Sequence, residues 1–384
     1  MTDRYDCIVV GVGGMGSATA FHLADRGLDV LGVERYDVPH EMGSSHGVTR
    51  IIRKAQYEDP AYVPLVRRAY DLWRELEDRT GRDLLHVTGG IDAGPPDSQV
   101  FAGSVRSCEE HDIDHEVLSA DELNERFPGY DLPDHHRAVY QPDGGFLVPE
   151  QCIIAHVEAA QAAGAEIHAR ESVADVASFP DGVRVTTDKG TYEADDVVVT
   201  AGAWARKLLP ELAELAVPER QVLAWLRPTE PERFEASNFP VFVHAADDGH
   251  YYGFPRYDVP GFKFGKFNHF EEEVDPDAMD REPRREDEEM LRAYAKRYFP
   301  DGAGPTMRLA TCMFTNTPDE HFILDTLPDD PRITVGAGFS GHGFKFASSV
   351  GEVLADLATD GETDHDVDLF RLDRFDRFDG ARGG

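Results

Sequence analysis

The chain has 384 residues, more than one small core accommodates, so two domains, possibly interleaved in sequence, are the expectation. Its formal net charge is −35, from 73 acidic against 38 basic residues, which argues against nucleic acid and anionic membrane surfaces as partners, since both require a basic footprint. No run of about 18 apolar residues occurs, so no membrane span is expected.

The N-terminus enters a strand directly, which argues against a signal peptide. The four cysteines, at 7, 108, 152 and 312, share no metal-binding spacing, so no metal site is expected and the cytoplasm is the default location. The acids are spread through folded-looking segments rather than gathered in a tail, and only 7 of the 38 basic residues are Lys. That balance fits a protein built for high salt, where the Debye length falls to about 3 Å at 1 M and self-repulsion is screened.

In chain order, Cys7 to Val10 reads as a buried parallel strand that runs into Gly11-Val12-Gly13-Gly14-Met15-Gly16. Met15 to Arg26 reads as a helix stopped by Gly27, and Val30 to Val33 as a second strand ending in Glu34. This is a βαβ dinucleotide fingerprint in context. Gly11 makes the tight turn, Gly13 admits the pyrophosphate, and Gly16 lets helix and strand pack closely. The helix N-terminus, through Gly14 and Met15, offers free N–H groups. Glu34 follows Gly16 by 18 residues, near the spacing of the acid that holds a ribose hydroxyl. The fingerprint alone does not separate FAD from NAD.

A polar, Gly-rich loop follows from Arg35 to Gly47. Tyr62, Leu65, Val66, Ala69, Leu72, Trp73 and Leu76 then mark an amphipathic helix. A strand around Leu85 to Ala93 opens a new region, Asp121 to Phe127 is a short helix, and Gln141 to Gly145 is turn chemistry. Pro149 to Ala163 is a helix closed by Gly164. Glu166–His168, Val173–Phe179, Val183–Thr187 and Thr191–Ala194 read as short strands, and Val197 to Trp204 as a buried strand entering a Gly turn and a helix. Residues 217 to 270 alternate apolar and polar positions and suggest an antiparallel sheet. Phe270 to Glu289 reads as a solvated acidic face, and Leu291 to Phe299 as helix. Thr311–Phe314, Phe322–Leu324 and Ile333–Gly338 read as strands, and Val350, Val353, Leu354 and Leu357 mark the final helix. The tail after Asp360 is expected at the surface. The expected architecture is α/β plus antiparallel β: a Rossmann-like dinucleotide domain made of 1–85, 142–215 and 320–384, with an inserted mixed or antiparallel sheet domain, 86–141 and 216–319, for substrate.

Four clusters carry candidate chemistry. In the first, Gly43-Ser44-Ser45-His46-Gly47 precedes Arg50 and Arg53, which share a face with His46 if the segment is helical. Paired guanidiniums suit a carboxylate; the plain alternative is a surface Arg pair. The second is Tyr251-Tyr252-Gly253-Phe254, then Phe262-Lys263-Phe264. Alternation sets Lys263 on the face opposite the two Phe, aimed at a cofactor or simply at solvent. The third runs from Thr311 through Cys312 and Phe314 to His321. A Cys is usually inert core; the polar run behind it leaves an exposed Cys entering a loop open as the alternative. The fourth is Gly336 to Lys345, a turn whose N–H groups, with Gly341 and Gly343, suit negative charge on a ring carbonyl.

Gly-Ser-x-His-Gly-x-Thr-Arg-Ile-Ile-Arg, Cys-Met-x-Thr-x-Thr-Pro-Asp-Glu-His-Phe and Gly-Phe-Ser-Gly-His-Gly-Phe-Lys, in this order and spacing, resemble the sarcosine oxidase and N-methyltryptophan oxidase family of D-amino-acid-oxidase-like flavoproteins over nearly the whole chain. The resemblance implies FAD bound by the fingerprint with Glu34, Arg35, Ser44 and Ser45. It implies a bond from the flavin 8α carbon to the sulfur of Cys312. It also implies that Arg53 and Lys345 pair with the substrate carboxylate, that His46 and Arg50 lie beside the flavin, that Lys263 faces the side where O2 reacts, and that Tyr252 lines the substrate pocket. The expected partners are a secondary amino acid and O2, and the expected state is a monomer.

The chain departs from the family pattern at Phe267, where a His is usual unless His269 replaces it, at Phe314, where a Tyr is usual, and at Val48, where an Asp is common. The first two touch the pocket, so a substrate bulkier than sarcosine is also open. Three alternatives remain at this point: a same-fold dehydrogenase serving another electron acceptor, a NAD-dependent enzyme, and a non-catalytic flavin-binding subunit of a larger complex.

Overall fold

The computed structural model describes residues 3–375. The opening unit forms as expected. Strand Asp3–Val10 pairs in parallel with Val30–Val33 on one side and Thr191–Val199 on the other, and helix Gly14–Asp25 crosses between the first two strands. Ile8, Val9, Val30 and Leu31 are fully buried because helices cover this part of the sheet. The sheet continues through Glu166–His168 beyond Val30–Val33 and through Gly182–Thr187 and Val173–Phe179 at the other end.

Thr191–Val199 is one strand, not the two expected. Its first half pairs antiparallel with Gly182–Thr187, while Val197 to Val199 pair in parallel with Asp330–Ala337, so the sheet forks there. Alternation in the first half and a continuous apolar run in the second reflect those two environments. Helices Tyr62–Thr80, Pro149–Ala162 and Ala347–Asp360 pack with Gly14–Asp25 in one apolar core. Gly351 makes this close: a Cβ there would lie 2.5 Å from the Ala18 Cβ.

A second eight-stranded sheet runs in the order Thr306–Asn316, Val217–Leu226, Phe262–Lys266, Gly249–Phe254, Val241–Ala246, Gly90–Gly94, Arg137–Gln141, Glu116–Ser119. It is mixed, because Val241–Ala246 and Gly90–Gly94 are parallel. One face presents Val222, Ala224, Phe262 and Phe264 to helix Arg285–Tyr298; the other presents Leu223, Trp225, Tyr252 and Cys312. Helix Gln99–Glu110, unread in the sequence, is started by Ser98, whose side chain accepts from Phe101 N.

A small sheet, Arg50–Ile52 with Gly145–Leu147 and Leu85–Val87, corrects the conditional helix at His46 to Arg53. Leu85 to Ala93 is likewise two strands, Leu85–Val87 and Gly90–Gly94, in different sheets. The acidic run is not wholly solvated. Asp287 is buried and takes the Arg220 guanidinium at 2.9 and 3.1 Å, with His269 at 2.9 Å. Nor is the tail all surface, since Val367, Phe370, Leu372 and Phe375 are buried; residues 376–384 lie outside the described residues. No described helix is long and apolar enough to cross a membrane.

Candidate functional site

The glycine loop is shaped by close approach. Gly11 has φ +93°, and a Cβ on Gly16 would stand 1.8 Å from the Gly11 carbonyl oxygen. Gly13 is different: a Cβ there meets nothing within 4 Å, so protein packing does not account for its lack of a side chain. It faces a large cavity lined by Gly11 to Met15, Glu34, Arg35, Ser44, Ser45, Arg50, Gly341 and Gly343 among others. Gly16 does not line the cavity; its place is the strand–helix contact. The Glu34 carboxylate accepts from Val12 N and Tyr36 N, both at 3.0 Å, which fixes it at the cavity wall. Arg35 pairs with Asp277 at 2.7 Å and lies over the rings of Tyr36 and Trp204. A cradle of backbone N–H groups, an anchored acid and open space at Gly13 suit a dinucleotide.

A second, smaller cavity adjoins the first and shares Arg50, Phe314, Gly341 and Phe344 with it. Arg53 and Lys345 line it, with Glu58, Tyr252, Phe254, Phe267 and His342. Lys345 stands at the end of the Gly turn, where Trp73 Nε1 holds its carbonyl at 3.0 Å and its Nζ donates to His342 O at 2.6 Å. Sequence reading missed the partners of Arg53. One of its terminal nitrogens meets both Glu58 oxygens, at 3.1 and 3.2 Å, and its Nε lies 3.5 Å from buried Asp92. Burial opposes the Glu58 charge, but Arg53, then His342 and Lys345, outweigh it and bring that carboxyl down to about 2. Burial lowers Lys345 to about 7, against the pull of Glu58. No local motif marks Glu58 or Asp92; only the fold brings them to Arg53.

Of the two readings the sequence left open for Cys312, buried core or an exposed Cys entering a loop, the structure has the first. It lies within Thr306–Asn316, 2% exposed, because pairing with Val217–Leu226 continues through the polar residues after it. Its Sγ is 3.7 Å from both Ser44 O and Arg50 Nη2, and both of those residues line the large cavity. Lys263 and His46 line neither cavity but stand behind the junction. Lys263 Nζ donates to Thr49 O at 2.6 Å and Thr49 Oγ1 at 2.9 Å and sits 4.1 Å from the Phe254 ring centroid. Burial, with Arg50 adding to it, pushes Lys263 well below an ordinary lysine. His46 is buried with both ring nitrogens unpartnered, and burial, then Arg50 and Lys263, lower it to about 3, so it is neutral. His269 does not replace the missing pocket His, since it is committed to Asp287. Phe267 lines the small cavity, 4.9 Å from the Tyr252 ring and 5.8 Å from Phe314.

Residues 6–357 match the model of a family described as FAD dependent oxidoreductase. The chain belongs to that family. It is 42% identical to a monomeric sarcosine oxidase of Streptomyces avermitilis, over 96% of this chain and 97% of that protein. It is 39% identical to an N-methyl-L-tryptophan oxidase of Yersinia pestis, over 97% and 99% respectively. Among solved structures, NikD, an unusual amino acid oxidase essential for nikkomycin biosynthesis, superposes with a TM-score of 0.84 at 29% identity, covering 96% of this chain and 98% of that one. Membership of this family settles the cofactor type that the glycine fingerprint left open: FAD rather than NAD.

Proposed function

We propose that this chain oxidises secondary, N-methyl amino acids such as sarcosine, with O2 as electron acceptor, giving an imine that hydrolyses to aldehyde and amino acid, together with H2O2. The observation that carries this reading is the junction of the two cavities at Arg50: a dinucleotide cradle on one side, and on the other a pocket with Arg53 and Lys345 at one end and aromatic walls at the other. Most of the cofactor cradle comes from 1–85, 142–215 and 320–375, and 86–141 with 216–319 form the domain that closes the substrate side, with Arg53 and Lys345 reaching it from the cofactor segments. Gly11 to Met15, Glu34, Arg35, Ser44, Ser45, Gly341 and Gly343 hold FAD, with Cys312 Sγ as the site of a covalent thioether. When bound, the flavin accepts the two electrons released by the C–N bond.

Arg53 and Lys345 grip the substrate carboxylate, which displaces Glu58 from the guanidinium and fixes the amine at the cavity junction. Tyr252, Phe254, Phe267 and Phe314 enclose the substrate carbons and exclude water. Neutral His46 and cationic Arg50 stand beside the ring. Lys263 supplies a positive charge where O2 gains electrons. The protein acts as a monomer, and its excess of acid suits a cytoplasm of high salt.

An oxygen electrode with sarcosine and a series of larger N-methyl amino acids tests the assignment. Substrate-dependent O2 uptake with equimolar H2O2 is expected. Turnover with a quinone or protein acceptor but none with O2 would instead support the dehydrogenase.

A further inference from the structure

The Gly47-Val48-Thr49 turn is strained in an unusual way. Val48 has φ +75°, and Thr49 N donates back to Gly47 O at 2.9 Å. An i→i+2 bond around a central residue of positive φ is the rarer, strained γ-turn. A β-branched residue is poorly suited to it, and such outliers persist only where surroundings hold them. The holder here is Glu150, in the first turn of helix Pro149–Ala162. Its Oε1 accepts from Gly47 N at 2.7 Å and from Val48 N at 3.1 Å.

What the turn presents is the Thr49 carbonyl, which takes Lys263 Nζ at 2.6 Å and Arg50 Nη1 at 2.9 Å. One oxygen thus gathers two cations, and the Thr49 hydroxyl adds a second contact to Lys263. Lys263 forms no ion pair among the described residues. The charged and titratable groups that act on it are Arg50, Glu150, Cys312 and Arg308, with neutral His46 close by, and Glu150 is the carboxylate among them.

We propose that Glu150 is a positioning residue for Lys263: it clamps the strained turn that aims the Thr49 carbonyl at the lysine and is the carboxylate whose charge acts on that buried amine. This rests on the reading of Lys263 as the oxygen-facing cation. Glu150 itself touches neither cavity, so it acts on Lys263 through the turn and by its charge rather than by contact with substrate or flavin.

The test compares Glu150→Gln, Glu150→Ala and Glu150→Ala/Val48→Gly with Lys263→Met. Gln keeps an acceptor for both N–H groups and removes only the charge; Gly at 48 removes the strain that the clamp opposes. The first readout is NMR of isotope-labelled lysine side chains in the flavin-free protein, where seven lysines make assignment by Lys263→Met direct. Lys263 is expected to titrate lower in Glu150→Gln than in the wild type. The second is stopped-flow separation of flavin reduction from reoxidation. Reoxidation is expected to slow severalfold in Glu150→Ala, with reduction unchanged and partial recovery in the double variant.

An unmoved lysine titration together with wild-type reoxidation in Glu150→Ala overturns the proposal, as does equal slowing of both half-reactions. If Lys263→Met leaves reoxidation intact, the oxygen-facing reading of Lys263 fails instead, and the lysine titration still decides whether Glu150 holds it.

Discussion

Gly13 and Gly16 lie three residues apart, yet one added methyl should act on different properties at each. At Gly16 the new Cβ would be 1.8 Å from the Gly11 carbonyl oxygen and 2.5 Å from Thr200 Oγ1. The nearer of these is backbone, so relief requires moving the strand–helix junction, and overpacking of that kind costs about 3 kcal/mol or more at its upper end. At Gly13 nothing lies within 4 Å, so Gly13→Ala should leave the flavin-free protein within about 1 kcal/mol of wild type. The proposed FAD site, however, puts the cofactor in that space. Overlap of a methyl with its pyrophosphate should cost about 1–3 kcal/mol of binding alone, roughly 5- to 150-fold in Kd.

Both variants are made in a Cys312→Ser background so that flavin binds reversibly. Urea unfolding of the flavin-free protein gives stability, and quenching of flavin fluorescence gives affinity. If Gly13→Ala unfolds as early as Gly16→Ala, or binds FAD as tightly as the parent, the placement of the pyrophosphate at Gly13 is wrong.

Three further outcomes follow from the site. Acid precipitation should leave the flavin's yellow colour in the wild-type pellet and release it to the supernatant in Cys312→Ser; colour released from both would contradict the thioether. Because Lys345 is lowered to about 7 in the free protein, its charge is complete below that pH and lost above it, so kcat/KM should fall above about pH 7. Lys345→Arg keeps its charge and should abolish that limb; a limb that survives the substitution belongs to another group. With a net charge of −35, far-UV circular dichroism should decay on dialysis into dilute buffer and be held by molar salt, whereas a full signal in dilute buffer would refute the high-salt reading.

What the sequence made legible was local. The βαβ fingerprint is a contiguous pattern whose geometry follows from a few residues, and strand Val30–Val33 and helix Gly14–Asp25 form within a residue or two of expectation. Lys263 was correctly set opposite Phe262 and Phe264 because strand alternation is a two-residue rule. What escaped depends on distant partners. Asp287 looked like one more acid in an acidic run, and only Arg220, 67 residues away, makes it a buried ion. The polar residues after Cys312 left a loop open there, and only the neighbouring strand, which extends the pairing to Asn316, decides for a buried strand. Phe370 and Phe375 lie in a polar tail whose burial is decided elsewhere in the chain, by the helix-lined core for Phe370 and by the core around Ile323 and Leu327 for Phe375. Glu58 and Asp92 carry no motif at all, yet they set the charge state of the pocket in which Arg53 works.

The central claim is that one slot joins substrate, flavin and O2. It is tested most directly by the visible spectrum of the purified protein under anaerobic conditions. Addition of an N-methyl amino acid should bleach the flavin bands, and admission of air should restore them with one H2O2 per cycle. Bands that do not bleach with any secondary amino acid, or that bleach and stay bleached in air, would contradict the account.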